Sequence, residues 1–304
     1  MIFNNILEVI GNTPIVRLSR VADDCPARVI AKLEMLNPTG SAKARSAWGM
    51  IQAAENAGVL KPGGLIVEPT SGNQGIALAM VGAVRGYRVM LVMPETMSIE
   101  RKKLMEAFGA EVVLTPAAED LAGAVRKSRE LAASIPGAWM PDQFSNPTNP
   151  DYHEGTTGQE ILNQLDEPVD AFVLGVGTGG TLTGAARALK KRIPHLQVYA
   201  VEPASSAVIG GGPPGHHKIQ GIGDGFIPVN LDQSLLTGAV AVSDEEAVNM
   251  ARRLAKEEGI LAGISSGAAV AAAVKVGKRL GAGTTVLTIL PDTGERYLST
   301  SLFE

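Results

Sequence analysis

The run Gly175-Val-Gly-Thr-Gly-Gly-Thr181 lies between a β-branched stretch and a helical pattern. Such a loop aims backbone N–H groups and a helix dipole at an anion, and its glycines let the backbone approach closely. Thr178 and Thr181 add hydroxyl donors, so phosphate binding is the chemistry the segment suits. The loop alone does not name the ligand. Gly175, Gly177 and Gly180 also satisfy G-x-G-x-x-G, and Glu202 ends the next predicted strand, about where a ribose-binding acid would sit. A nicotinamide-dependent dehydrogenase therefore stays open at this point, as does a tight turn with no ligand.

Three further segments carry chemistry. In Asn37-Pro-Thr-Gly-Ser-Ala-Lys-Ala-Arg45, Lys43 follows a glycine turn and directly precedes a predicted helix. A helix N-terminus disfavours a cation, and burial also depresses a lysine pKa. A lysine tuned in this way suits Schiff-base chemistry, whereas a solvated surface lysine is the plainer reading of the segment by itself. In Glu68-Pro-Thr-Ser-Gly-Asn-Gln-Gly75, Thr70, Ser71 and the amides of a helix start are arranged to grip an anion such as a carboxylate. Asn73 is placed to bond a ligand oxygen, and helix capping is the simpler role for Thr70 or Ser71. Gly263-Ile-Ser-Ser-Gly267 offers another hydroxyl pair at a helix start, which N-capping would also explain.

These segments need a frame. Apolar runs at 65–69, 88–93, 111–115, 171–175, 198–201 and 285–290 read as buried strands. Residues 46–57, 74–85, 98–108, 119–134, 179–191 and 244–258 read as helices, the last opened by a Ser243/Glu246 capping box and closed by Gly259. The alternation predicts an α/β fold with parallel sheet covered on both faces. Ligands in such sheets bind beyond the carboxyl ends of strands, where 70–75, 176–181 and the stretch past Leu290 fall. The three prolines of 141–150 predict a loop crossing between two sheets, and 210–225, with seven glycines and two prolines, a long functional loop.

Composition narrows the class. The 304 residues carry 27 basic and 31 acidic side chains, a formal net charge of -4, without the basic excess of a nucleic-acid binder. Hydrophobic residues at 45% and charged residues at 19% argue against long disorder. Aromatics at 4% beside 35 glycines predict an aliphatic core and many tight turns. Cys25, the single cysteine, excludes an internal disulfide and a thiolate metal cluster, and the four histidines show no H-E-x-x-H spacing, so no metal is expected. The uncharged stretch 259–274 is too short and polar to span a bilayer, and the first eleven residues lack the basic start of a secretory signal. A soluble cytoplasmic protein with neither nucleic-acid nor membrane partners is expected.

Along the whole chain and in order, these segments resemble the cysteine synthase (O-acetylserine sulfhydrylase) and cystathionine β-synthase family of fold type II pyridoxal-phosphate enzymes. The resemblance rests on IGNTP (10–14), KLEMLNPTGSAKAR (32–45), EPTSGNQGIA (68–77), MPETMSIERK (93–102), LTP (114–116) and DQFSNPTNP (142–150). It continues through GVGTGGTLTG (175–184), HKIQGIGDGFIP (217–228), GISSGAA (263–269) and LPDTGERYLST (290–300).

The resemblance implies two three-layer α/β/α domains with mostly parallel sheets and pyridoxal 5′-phosphate between them. Residues 1–41 plus 147–304 would form the large cofactor-binding domain and 42–146 a small mobile one. Lys43 would carry the cofactor as a Schiff base and later act as base; Gly177, Thr178, Gly179, Gly180 and Thr181 would cradle its phosphate. Asn73 would bond the pyridoxal 3′ oxygen and Ser265, rather than Ser266, would face the ring nitrogen. Thr70, Ser71, Asn73 and Gln143 would hold the substrate carboxylate, with Gly221 and Gly223 on the far wall. The implied reaction is ping-pong β-replacement, making L-cysteine from O-acetyl-L-serine and sulfide through an aminoacrylate. A homodimer is implied, with no room for a C-terminal regulatory domain; a complex with a serine acetyltransferase is a property of relatives that nothing in this sequence shows.

Three positions depart from the family. Ala44 stands where Asp is usual, Gln74 replaces the threonine of T-S-G-N-T-G, and Asp224 replaces a small residue after G-I-G. Gln74 can still donate to a carboxylate but needs more room. An acid at 224 would repel hydrosulfide, and could instead activate water or fix the amino group of an incoming amino acid; a side chain turned to solvent is the plain reading. Within the family, the alternatives to cysteine synthesis are therefore cysteine hydrolysis to serine and hydrogen sulfide, using Asp224, and a cystathionine or lanthionine synthase. From other classes, the dehydrogenase and a catalytically silent scaffold stay open.

Overall fold

The computed structural model describes residues 2–303 and sorts the chain into two sheets. The strands are β1 (Ile15–Leu18), β2 (Arg28–Leu33), β3 (Leu65–Pro69), β4 (Arg88–Pro94), β5 (Glu111–Thr115), β6 (Ala138–Trp139), β7 (Ala171–Gly175), β8 (Gln197–Pro203), β9 (Gly238–Val242) and β10 (Thr285–Leu290). A six-stranded sheet has the order β1-β2-β10-β7-β8-β9 and a four-stranded one β5-β4-β3-β6. Every pairing is parallel except β1 with β2.

The helices are α1 (Lys43–Asn56), α2 (Asn73–Arg85), α3 (Ile99–Ala107), α4 (Asp120–Ser134), α5 (Thr148–His153), α6 (Gln159–Gln164), α7 (Gly180–Arg192), α8 (Asp244–Arg253) and α9 (Ile264–Leu280). The central strands β3 and β10 bury every residue, which is why they read as near-continuous apolar runs. The core is aliphatic: Ile51, Ile66 and Ile76 pack the small sheet, Val29, Val201, Val270 and Val286 one face of the large one. Each such side chain contributes about 1.5–3 kcal/mol by leaving water.

Several elements escape the sequence reading. β1 is a short antiparallel edge, β9 is the small-residue run GAVAV, and β6 has two residues. The proline-rich crossing ends early, because α5 starts at Thr148 and absorbs Pro150 in its first turn, where no amide partner is needed. The uncharged stretch near 259–274 is largely α9, with 13 of its 17 residues buried in the core. No helix among the described residues is long and apolar enough to cross a membrane. The Ser243/Glu246 capping box forms as expected, and α8 runs on as a π turn to Glu258 before Gly259 stops it at φ +70°.

Candidate active site

A cavity opens at the carboxyl ends of β3, β7 and β10, the strands whose following turns were expected to bind. Lys43 opens onto it as the first residue of α1, one position inside the helix rather than before it. The start of α1 is fixed to the end of β10: Ala42 N–H donates to Pro291 O at 2.8 Å, and Ser41 bridges Asp292. Burial lowers the pKa of Lys43, and the charges of Asp224 and Asp292 oppose the shift without reversing it. The ammonium is thereby biased toward a neutral, nucleophilic amine.

The loop after β7 forms the second wall, with Gly177, Thr178, Gly179 and Thr181 on the cavity. Gly179 caps α7 at φ +81° and carries no side chain to cap it; the Gly180 N–H reaches Thr178 Oγ1 at 3.4 Å, and Thr181 and Leu182, next in this 13-residue helix, line the cavity. A Cβ at Gly179 would stand 2.8 Å from the Leu231 amide nitrogen, and one at Gly177 would run into the Gly221 carbonyl. Gly180 does not line the cavity; it lies where Asn149 packs on α7. Two supports went unread in the sequence. Asn149 Nδ2 donates to Thr178 Oγ1 at 3.2 Å, and His153 Nε2 lies 3.1 Å from Thr181 Oγ1. Burial, with Arg45 and Lys43 nearby, pushes His153 well below the usual imidazole range, so its neutral ring fixes a hydroxyl rather than adding charge.

The turn after β3 forms the third wall. Thr70 Oγ1 accepts the N–H groups of Gly72 at 2.9 Å and Gly75 at 3.1 Å, which leaves its own proton to donate into the cavity; it caps and remains a donor. Gln74 Oε1 accepts from Ser46 Oγ at 2.8 Å, and its Nε2 is buried without a protein partner. Ser71 and Gln143 also face the cavity, and Gln143 Nε2 uses one proton on Pro69 O at 3.1 Å. Asn73 is more committed than its sequence role suggests. Its Oδ1 accepts from Arg296 Nη1 and its Nδ2 donates to Asp292 Oδ2 at 2.7 Å, leaving one amide proton for a ligand.

Ser265 opens onto the cavity, whereas the Ser266 hydroxyl is buried elsewhere without a partner. Neither serine caps α9, whose N-cap is Gly263. Gly221 and Asp224 line the cavity, and Asp224 Oδ2 is close to the loop after β7, 3.8 Å from where a Gly177 Cβ would be. Gly223 lies outside it, on an adjoining cleft that Asp224 shares. Among the described residues no group of three His, Cys, Asp or Glu side chains could hold a metal ion.

A buried lysine, a helix start behind a bare glycine loop and a serine hydroxyl on the cavity fit pyridoxal phosphate: amine for the aldehyde, amides for the phosphate, hydroxyl for the ring nitrogen. Together with two mostly parallel α/β sheets they define a pyridoxal-phosphate enzyme of fold type II. The chain belongs to the pyridoxal-phosphate dependent enzyme family, which it matches over residues 6–292. It is 53% identical over 301 residues to the cysteine synthase of Staphylococcus aureus (strain Mu50 / ATCC 700699), covering 99% of this chain and 97% of that one. Among solved structures, an O-ureido-L-serine synthase superposes with a TM-score of 0.96 at 47% identity, covering 100% of this chain and 96% of the other. A hydrogen sulfide-producing enzyme from Fusobacterium nucleatum superposes with 0.94 at 42% identity, covering 98% and 100%.

Proposed function

We propose that the protein replaces the β-substituent of an amino acid, making L-cysteine from O-acetyl-L-serine and sulfide. The observation that carries the reading is the convergence of Lys43, a phosphate-suited loop and a turn of free donors on one cavity. Pyridoxal phosphate, when bound, supplies the electron sink for bond breaking at the substrate Cα. Gly177, Thr178, Gly179 and Thr181 hold the phosphate through amides and hydroxyls, with Gly180 keeping the helix start close to Asn149. Thr70 Oγ1, Ser71, Gln74 Nε2 and the remaining proton of Gln143 Nε2 hold the substrate carboxylate, and Asn73 and Ser265 orient the ring. Lys43 Nζ takes the Cα proton, a task its burial suits because it lowers the lysine pKa and so favours the neutral amine that can act as a base. The test is cysteine formation requiring both O-acetylserine and sulfide and disappearing in Lys43→Ala; turnover that continues without Lys43 would sink the reading.

A second reading rests on Asp224, which shares the cavity with Lys43. In this reading its carboxylate takes a proton from water, so that cysteine would give serine and hydrogen sulfide. Cysteine supplied alone distinguishes the two: sulfide and serine accumulating in the parent but not in Asp224→Ala supports hydrolysis. Residues 42–146 serve in this proposal as the unit that closes on the substrate. A homodimer is favoured by the exposed apolar side chains of Ile2, Phe3, Ile6 and Leu36, and light scattering in solution decides it.

A further inference from the structure

The substrate turn is braced from outside its own peptide chain. Arg101, on α3, is 1% exposed, and no carboxylate of the described residues pairs with it. Its Nη1 donates to the Ser71 carbonyl at 2.6 Å, while its Nε and Nη2 are buried without partners. Its side chain covers Gly72, which has φ +146° and where a Cβ would run into the Arg101 Cδ. The guanidinium lies 5.0 Å from the centroid of the buried Tyr297 ring. Tyr297 in turn donates to Asp292 Oδ2 at 2.8 Å, and the same oxygen accepts from Asn73 Nδ2 at 2.7 Å.

Ser71 and Asn73 are thus joined through Arg101, Tyr297 and Asp292 as well as through Gly72. A buried cation without a carboxylate is costly to hold, and a strained glycine persists only where its surroundings over-determine it. Both costs fall on the turn that the proposed reaction uses. We infer that Arg101 is a positioning residue for the amino-acid substrate. Through the Ser71 carbonyl and the Tyr297 ring it fixes the direction in which the turn's donors meet the carboxylate. The inference rests on the reading of residues 70–74 as the carboxylate grip.

Steady-state kinetics of the cofactor-loaded enzyme test it. Arg101→Met is expected to raise KM for O-acetylserine about 10- to 100-fold, the cost of misplacing a binding group by about an ångström, while KM for sulfide and the absorbance of the bound cofactor stay unchanged. Arg101→Lys can still reach the Ser71 carbonyl and should recover part of the loss. Tyr297→Phe keeps the ring but loses the Asp292 bond, so it should give a smaller rise that does not multiply with that of Arg101→Met. An unchanged KM for O-acetylserine in Arg101→Met overturns the inference. If that variant fails to fold, unchanged values in both Arg101→Lys and Tyr297→Phe do so. Ser71→Ala separates this from the underlying reading: a rise there with none at Arg101 overturns the inference alone, and no rise in either overturns the carboxylate grip as well.

Discussion

Glu68 and Gln143 meet through the backbone: the buried Glu68 carboxylate accepts the N–H of Gln143 at 3.0 Å and, with its other oxygen, that of Asp142 at 2.9 Å. The end of β3 thereby holds the loop that aims Gln143 at the cavity. Burial pushes the Glu68 pKa up to about 8, although the two N–H donors pull the other way. The folded value lies above the unfolded one, so the stabilising protonated form is fully present below the ordinary carboxylate pKa and is lost as pH rises toward about 8. Stability measured by denaturant should fall between about pH 5 and about pH 8, then level off. Glu68→Gln should flatten that slope, cost about 1–3 kcal/mol because an amide cannot accept both N–H groups, and raise KM for the amino acid. A slope that survives in the variant assigns it elsewhere.

Gln74 is the departure with the clearest consequence. Ser46 orients its amide so that the buried Nε2 has no protein partner to satisfy. A hydrogen bond to a charged ligand is worth about 1.5–3 kcal/mol, so Gln74→Leu should raise KM for O-acetylserine about 10- to 100-fold. The Ser46 hydroxyl keeps an acceptor in the variant, the Lys43 carbonyl at 3.2 Å, so little stability should be lost. Equal values for the two enzymes would show that the carboxylate is held without Gln74.

Much of this was legible in the sequence where one stretch carries both pattern and chemistry. The loop after β7 shows its glycines, its threonines and its helix start within a few residues, and five of the six strands named from apolar runs are largely buried, the edge strand β5 being the exception. What stayed hidden depends on residues far apart in the chain. Arg101, Asp292 and Tyr297 meet only because α3 and the segment after β10 fold onto the same turn. Nothing in the spacing of Asn149 and His153 shows that they brace Thr178 and Thr181. The edge strands β1 and β9 were missed because they are short and bury residues on only part of their length.

On α1, Arg45 is 1% exposed and joins Glu34 at 2.7 Å and Glu160 at 2.6 Å, with Lys32 3.0 Å from the same Glu160 oxygen. Although burial works against it, hydrogen bonds and charge from Arg45 hold Glu160 at about 2. That depressed value means stability present above the ordinary carboxylate pKa and lost as pH falls toward about 2. Removing one partner of a buried pair costs about 3–5 kcal/mol, so Glu160→Gln should lower the denaturation midpoint sharply at neutral pH and much less in acid. Because Arg45 lies two residues after Lys43, its cofactor absorbance is the informative second signal: a shift there would show that the cluster also sets the lysine.

Gly177 tests the link between the loop after β7 and the loop carrying Asp224. An added Cβ there would run into the Gly221 carbonyl, and backbone yields less readily than a side-chain tip. Over-packing costs about 1–3 kcal/mol, and since the two loops line the same cavity, Gly177→Ala should weaken pyridoxal phosphate about 5- to 150-fold if the proposed cradle holds it. Gly155, with nothing within 4 Å of its added Cβ, supplies the neutral comparison as Gly155→Ala. Cofactor titration of both apo-variants, beside their thermal melting, separates the outcomes. Weaker binding with a melting point near that of the parent places the strain on the cradle; lost stability with unchanged affinity would show that the loops move apart without it.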